Sequence, residues 1–144
     1  MPCQAAANTS CASGFSTKTY DALGRPLVST SAALGTITNT YTQNDVLSVL
    51  GPAPTGEVVK QKQYEYDGLG RLLSVCEITT NVGNGACGQA VSKTGYLTKY
   101  TYDALGRITQ VSLNAQGTPQ TRTFAYDGLG RTTSETNPEN GTTV

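Results

Sequence analysis

The chain has 144 residues, which is enough for one ordinary domain with a modest core and too short for two comfortable ones. Ten Lys and Arg residues balance ten Asp and Glu residues, and no basic run occurs, which argues against a nucleic-acid-binding protein because such proteins need clustered positive charge. The sequence contains no histidine, which argues against an ordinary hydrolase site. It has no stretch of about 18 apolar residues, which argues against a membrane span, and no charged-then-apolar leader, which argues against a signal peptide.

The first segment, 1–14, is rich in Ala, Ser and Asn and has no periodicity. Cys3 and Cys11 lie eight residues apart within it. We expect this segment to be ordered only if these two cysteines tie it down as a disulfide. The remaining residues, 15–144, are predicted to form a single β domain.

An internal repeat dominates 15–144 and has to be interpreted before any local propensity. Four segments align without gaps on the pattern Tyr-Asp-(Ala or Gly)-Leu-Gly-Arg, and a fifth, degraded copy keeps the Tyr but lacks the Gly and Arg. The copies are YDALGRPLVS at 20–29, the degraded YTQNDVLSVL at 41–50, YDGLGRLLSV at 66–75, YDALGRITQV at 102–111 and YDGLGRTTSE at 126–135. A spacing of 36 residues between the third and fourth copies, against 21, 25 and 24 elsewhere, indicates an insertion near 76–96.

Each complete copy predicts a β-hairpin. Aromatic residues alternate with polar ones before the turn and β-favouring runs follow it, so both arms have a period of two. In the turn, the Asp side chain can accept the main-chain N–H two residues on, and the Gly can take the left-handed conformation of a G1 bulge. The Asp, Gly and Arg of the four turns are Asp21, Gly24 and Arg25; Asp67, Gly70 and Arg71; Asp103, Gly106 and Arg107; and Asp127, Gly130 and Arg131.

The same turns place a leucine at the tip and an arginine at the start of the return strand. We expect the tip leucines to pack on a neighbouring hairpin, because an exposed Leu side chain would contribute no buried apolar surface. We expect each arginine to reach the aspartate of its own or an adjacent turn. Four of the five Asp and four of the five Arg residues lie at these positions, so we predict no catalytic site and no cofactor.

Eight of the ten aromatic residues also belong to the repeats. One interpretation is an inward aromatic ladder that forms the core of stacked hairpins. The other is a row of rings that stack against the apolar faces of sugars. Both interpretations apply to the six aromatics that form pairs two residues apart on the strand arms, which are Tyr64, Tyr66, Tyr100, Tyr102, Phe124 and Tyr126.

Cys76 and Cys87 lie eleven residues apart and bracket the predicted insertion. Four cysteines allow three pairings, and the grouping favours local bridges between Cys3 and Cys11 and between Cys76 and Cys87. A zinc site is the rival, but the absence of histidine and of a C-x-x-C pair argues against any metal. Disulfides imply an oxidising place, so we expect an extracellular or cell-surface location.

The Tyr-Asp-x-Leu-Gly-Arg hairpins resemble the RHS or YD repeats of bacterial RHS proteins, of the shell-forming subunits of Tc toxins and of teneurins, over roughly residues 16–144. The resemblance implies a long antiparallel sheet that coils into a spiral. In complete members the spiral closes into a shell that encloses a toxic segment or serves as an adhesion scaffold, and carbohydrate binding has been attributed to such repeats. Four or five repeats are too few for a shell, so we expect either a fragment or a unit that finds its next repeat on another molecule.

We therefore predict an all-β fold of stacked antiparallel hairpins that form a short β-spiral or solenoid. The predicted function is that of a non-catalytic extracellular structural module, which assembles edge to edge with further repeats or with copies of itself into a filament or surface scaffold. Two alternatives stay open, a carbohydrate-binding or adhesion module and a fragment of an RHS toxin-encapsulating shell. Self-association and glycans are the expected interactions; nucleic acid and a membrane span are not expected.

Overall fold

The computed structural model describes residues 16–33, 35–80, 87, 94–115 and 117–144. Within these residues the chain forms eleven β-strands and no helix, so the predicted all-β class is confirmed. No described residue therefore lies in a helix long and apolar enough to cross a bilayer. The strands are β1 (Ser16–Tyr20), β2 (Pro26–Ser31), β3 (Gly35–Thr42), β4 (Asp45–Gly51), β5 (Lys60–Tyr66), β6 (Leu72–Thr80), β7 (Thr94–Tyr102), β8 (Ile108–Leu113), β9 (Gln120–Tyr126), β10 (Thr132–Asn137) and β11 (Gly141–Thr143).

The strands pair antiparallel, and their order in the sheet is their order in the sequence, from β1 to β11. In the pairing of β7 with β8, Thr101 lies opposite Gln110, and the register then shifts so that Tyr102 lies opposite Ile108. A shift of this kind is what a hairpin turn with a left-handed residue and a G1 bulge produces. The antiparallel arrangement expected from the period-two arms is thus confirmed.

The chain forms two compact units. The first comprises 1–40 and 47–61, and its described part holds β1, β2 and most of β3 and β4. There Val28 of β2 lies opposite Thr38 of β3, and the Asn39 side-chain amide donates to the Pro26 carbonyl over 3.0 Å. The second unit comprises 41–46 and 62–144, so it contains the repeats at 66–75, 102–111 and 126–135.

The buried apolar cluster lies in the second unit and differs from the aromatic core that the repeats suggested. Cys76 and Cys87 are fully buried there with Leu97, and Ile78 and Ala115 pack against them. The six repeat aromatics from Tyr64 to Tyr126 are only half-buried. Side chains on a strand are covered by their cross-strand neighbours, and Cys76 on β6 is covered more completely because Leu97 of β7 lies opposite it.

Candidate functional site

The repeat turns are the candidate site, and the turn at 102–107 shows how one is built. The Asp103 Oδ1 atom accepts the main-chain N–H groups of Leu105 and Arg107, both over 2.9 Å. The Gly106 N–H donates to the Asp103 carbonyl over 3.0 Å, and Gly106 has a φ of 80°. The Arg107 Nε atom donates to Asp103 Oδ2 over 2.6 Å. Hydrogen bonds within the six residues thus hold the turn together, and Gly106 has the left-handed conformation that only glycine adopts at little cost.

The other three complete copies have the same local construction. In each, the Asp carboxylate accepts the main-chain N–H groups two and four residues on, both over 2.9 Å, and the arginine Nε over 2.7 Å. The glycines have φ angles between 77° and 83°. The residues are Asp21, Gly24 and Arg25; Asp67, Gly70 and Arg71; and Asp127, Gly130 and Arg131.

These hydrogen bonds lower the pKa of all four turn aspartates. For Asp103 the largest cause is the main-chain N–H of Arg107; burial opposes the shift, and the Arg107 side chain and the Leu105 N–H add to it. The main-chain N–H of the turn arginine is also the first cause for Asp21, Asp67 and Asp127. A carboxylate with a lowered pKa stays ionised near neutral pH and acts as a hydrogen-bond acceptor, which suits a structural turn.

Successive turns in the second unit are joined by their arginines. The Arg71 guanidinium carbon lies 4.9 Å from the centroid of the Tyr102 ring, and Arg71 Nη1 donates to the Asp103 carbonyl over 3.4 Å. The Tyr102 hydroxyl donates back to the carbonyl of Leu72, the residue after Arg71, over 2.8 Å. One arginine thus holds its own turn through Nε and the next turn through its face and Nη1.

The same set of contacts occurs one repeat further along the chain. The Arg107 guanidinium carbon lies 4.6 Å from the centroid of the Tyr126 ring, and Arg107 Nη1 donates to the Asp127 carbonyl over 3.2 Å. The Tyr126 hydroxyl donates to the Ile108 carbonyl over 2.7 Å. We call the two pairs, Arg71 with Tyr102 and Arg107 with Tyr126, the Arg–Tyr ladder.

The last turn has the arginine of this ladder but no ring against it. The Arg131 side chain is 75% exposed, against 31% for Arg71 and 27% for Arg107, although its Nε still donates to Asp127 Oδ2. Among the described residues, no aromatic ring lies within cation–π distance of Arg131. The final turn therefore presents an exposed guanidinium.

The tip leucines do not pack on neighbouring hairpins within the described residues. Each donates its main-chain N–H to the turn aspartate, and each residue is 76% to 82% exposed. The expectation that a tip Leu needs a packing partner was therefore wrong within this chain, because the turn uses the leucine's N–H and leaves the side chain outside. The residues are Leu23, Leu69, Leu105 and Leu129.

The degraded copy at 41–50 forms a different turn, which sequence reasoning did not anticipate. Gln43 has a φ of 54°, and Asn44 holds Tyr66 through both its carbonyl, which accepts the Tyr66 N–H over 3.1 Å, and its side-chain amide, which donates to the Tyr66 carbonyl. Asp45 is buried and accepts a hydrogen bond from Gln63 Nε2 over 2.9 Å. The sequence feature that could have indicated the burial of Asp45 is its position directly before the apolar run of the degraded copy.

Four other repeat aromatics lie on the strand arms. Tyr64, Tyr66, Tyr100 and Phe124 are half-buried on their strands. Burial is the main cause that raises the pKa of Tyr66, and the nearby Tyr64 and Tyr41 add to it. In Tyr102 and Tyr126 one ring face is taken by a guanidinium, which leaves less of these rings for stacking against a ligand.

Cys76 and Cys87 form a disulfide, with their Cα atoms 5.1 Å apart. Both are fully buried, so the bridge ties residue 87 to β6 inside the apolar cluster. The suggested pair Cys3 and Cys11 lies outside the described residues. Across those residues, no group of three or more Cys, Asp or Glu is placed to hold a metal ion. A disulfide is consistent with an oxidising environment.

A shallow, open pocket of about 170 Å³ lies on the loop after β4 in the first unit. This volume is below the roughly 300 Å³ at which small-molecule sites usually begin. Its lining is mostly apolar and consists of Leu50, Pro52, Ala53, Pro54, Val58 and Lys60.

Comparison with known proteins leaves the function to be argued from this geometry. No family model matches the chain, and no curated protein matches it. The features that distinguish the molecule are the four identically built turns, the Arg–Tyr ladder and the exposed arginine of the last turn.

Proposed function

We propose that the chain is a non-catalytic structural repeat module that associates edge to edge with further repeats or with copies of itself. The Arg–Tyr ladder carries this proposal, because its contacts are made only between one turn and the next. Such a device can be extended by any further Tyr-Asp turn that presents the same groups. Stability in repeat arrays of this kind comes from each unit and its nearest-neighbour interfaces.

The two terminal strands support association at the edges. All five residues of β1 and all three of β11 are exposed, and these strands stand first and last in the order of the described strands. A terminal strand offers unpaired main-chain groups to another strand. The resemblance of the turns to RHS or YD repeats also favours continuation of the hairpins as a β-spiral, and the disulfide favours an extracellular or cell-surface setting.

The chemistry of the turn aspartates supports a role without catalysis. Each of these carboxylates already accepts three hydrogen bonds within its own turn, and its lowered pKa makes it a poor proton donor or acceptor near neutral pH. Charge in this module therefore serves the construction and joining of turns.

Glycan binding is a second candidate, favoured by two exposed rings. Tyr20 is 56% and Tyr96 is 48% exposed, so each presents apolar surface of the kind that sugars stack against. Titration of the protein with glycans while the Tyr20 and Tyr96 ring signals are followed by NMR tests this candidate separately from assembly.

The primary test is the particle size of the oxidised protein as a function of concentration, measured by light scattering after gel filtration and by electron microscopy of the same fractions. We expect concentration-dependent growth into elongated particles. A monomer at every concentration up to the solubility limit would overturn the proposal.

A pair of charge-matched variants ties the assembly to the edge. Thr17→Lys with Thr19→Lys adds two positive charges to β1. Lysine side chains on an edge strand discourage its pairing with another strand. Thr101→Lys with Thr123→Lys adds the same charge at exposed positions on the interior strands β7 and β9. We expect only the β1 variant to lose assembly. Equal loss in both would mean that net charge, and not the edge, controls association.

A further inference from the structure

Among the described residues, two groups of the kind that form the Arg–Tyr ladder have no counterpart: Tyr20 in the first repeat turn and Arg131 in the last repeat turn. Arg131 is 75% exposed with no ring against it among the described residues. Tyr20 precedes Asp21 as Tyr102 precedes Asp103, yet Tyr20 is 56% exposed, whereas Tyr102 and Tyr126 are half-buried under their arginines. The end of β1 thus presents the tyrosine of a ladder step, and the turn before β10 presents the arginine.

The groups needed to complete a further step are present at both places. The carbonyl of Thr132 follows Arg131 as the carbonyls of Leu72 and Ile108, which accept the ladder tyrosines, follow their arginines. The turn that starts at Asp21 has the same hydrogen bonds as the turn at Asp103, including the Gly24 N–H on the Asp21 carbonyl over 3.0 Å. The two surfaces are therefore complementary in chemistry.

The strand beside Arg131 also has room for a partner. β11 pairs only with Glu135 to Asn137 of β10, and Thr132 and Thr133 are exposed. The matching residues of β8, Ile108 and Thr109, are half-buried beside β9. The part of β10 that a following strand would cover thus begins next to Arg131.

We propose that Arg131 and the Thr132 carbonyl form an acceptor site for the Tyr20–Asp21 turn of a second copy of this chain. The partner's Tyr20 ring stacks on the Arg131 guanidinium, and its hydroxyl donates to the Thr132 carbonyl. Arg131 Nη1 donates to the main-chain carbonyl of the partner's Asp21. The proposal rests on edge-to-edge association and names the residues that direct it.

Docking in this register has a consequence for β11. If the partner's Tyr20 lies opposite Arg131, the partner's Ser16 lies opposite Glu135, which Thr143 of β11 occupies. Among the described residues, the two strands conflict at that residue pair and at the exposed Val144 beyond it, so the end of β11 must give way. The contact joins two different surfaces, so it repeats head to tail and gives open chains of copies.

The test compares self-association of the oxidised full-length protein with that of Arg131→Ala and Tyr20→Ala, measured by sedimentation. Each variant removes the cation–π contact and one hydrogen bond, and we expect the association constant to fall at least about tenfold. Lys62→Ala is the control, because it removes one positive charge from an exposed ion pair with Glu77 on β5 and β6, away from both ends. It should associate as the wild type does.

Mixing the two variants provides the sharper measurement. Arg131→Ala keeps an intact Tyr20 turn, and Tyr20→Ala keeps an intact acceptor, so an equimolar mixture should form heterodimers that grow no further. Thermal melts establish that each variant is folded; if Arg131→Ala fails to fold, Arg131→Gln, which keeps a hydrogen-bonding side chain, takes its place.

The outcomes separate this site from association in general. If the wild type assembles and Arg131→Ala assembles equally well, the acceptor site is wrong and edge-to-edge association stands. If both variants lose assembly and their mixture gives no heterodimer, the pairing of Arg131 with Tyr20 is also wrong. If the wild type stays monomeric throughout, both the association and the acceptor site are overturned.

Discussion

The Arg107 guanidinium lies against the Tyr126 ring at 4.6 Å, and the Tyr126 hydroxyl binds the carbonyl of Ile108, the residue that follows Arg107. The two side chains therefore cross between neighbouring hairpins in opposite directions. A shift of either hairpin along the other would break both contacts at once, so the pair fixes the register of β8 against β9 at the turn end.

This relationship predicts different costs for two arginines in identical local turns. Arg107→Ala removes the contact with the Tyr126 ring and the hydrogen bond to the Asp127 carbonyl, whereas Arg131→Ala removes only contacts within its own turn. We expect Arg107→Ala to lower the free energy of unfolding by about 1–2 kcal/mol more than Arg131→Ala does. Urea unfolding at a concentration where the protein is monomeric measures the difference, and equal costs would show that the ladder adds no stability.

Alanine substitutions at Gly68 and Gly70, two glycines of one turn, distinguish the effect of backbone strain on stability from the effect of crowding. A Cβ at either Gly68 or Gly70 would meet no atom within 4 Å, but only Gly70 has a positive φ, at 78°. We expect Gly70→Ala to lower the free energy of unfolding by about 1–2 kcal/mol, because an L-residue is strained in that conformation.

The matched control is Gly68→Ala, which reproduces the alanine found at this turn position in two other copies. It should be neutral or stabilise by up to about 1 kcal/mol, since it restricts the unfolded chain. Chemical denaturation of both variants gives the comparison. A loss of stability in Gly68→Ala as large as that in Gly70→Ala would contradict the assignment of strain to Gly70 alone.

The disulfide is expected to be a main stabiliser of the second unit. In a Cys3→Ser/Cys11→Ser background, where Cys76 and Cys87 form the sole possible bridge within one chain, reduction should lower the free energy of unfolding by about 2–4 kcal/mol. Thermal melts with and without a reductant, with the redox state checked by mass spectrometry, test this. Unchanged stability after complete reduction would contradict it.

The lowered pKa values of the turn aspartates predict a loss of stability in acid. These groups have pKa values below their ordinary 3.8 in the folded state, so folding is favoured while they are ionised. This contribution is complete above about pH 5 and is lost as the pH falls below 3.8 and through the folded-state values.

Melting temperatures between pH 7 and pH 2 should therefore fall most steeply at the acid end. Asp103→Asn should flatten the fall, and Asp67→Asn with Asp103→Asn should flatten it further, because each substitution removes one carboxylate with a lowered pKa. An unchanged acid profile in the double variant would show that these aspartates do not control the pH dependence.

The features that sequence reasoning reached are those set by short stretches of chain. Period-two arms around a six-residue turn were enough to predict antiparallel pairing, since the Asp acceptor, the Gly and the Arg all act within one turn. The spacing of Cys76 and Cys87 was similarly informative, because local pairing was the arrangement favoured by their grouping.

The features that sequence reasoning missed depend on the register between separate hairpins. The second partner of Arg71 is the main-chain carbonyl of Asp103, 32 residues away, and not a carboxylate of the adjacent turn. Likewise, Asp45 accepts a hydrogen bond from Gln63, 18 residues away. The sequence next to Arg71 or Asp45 does not identify either partner, because both pairings are created only when the strands between these residues are laid side by side.

Because the order of the strands in the sheet is their order in the sequence, a chain of this kind can lose or gain a whole hairpin without rearranging the other strands. Loss of the hairpin β7–β8 would bring β6 beside β9, where Arg71 would meet Tyr126 in the way that it now meets Tyr102. The two strands that border the deletion would again be neighbours whose turns carry the same motif. Addition or deletion of a whole hairpin would therefore change the number of copies in the chain without changing the contacts by which neighbouring hairpins pair.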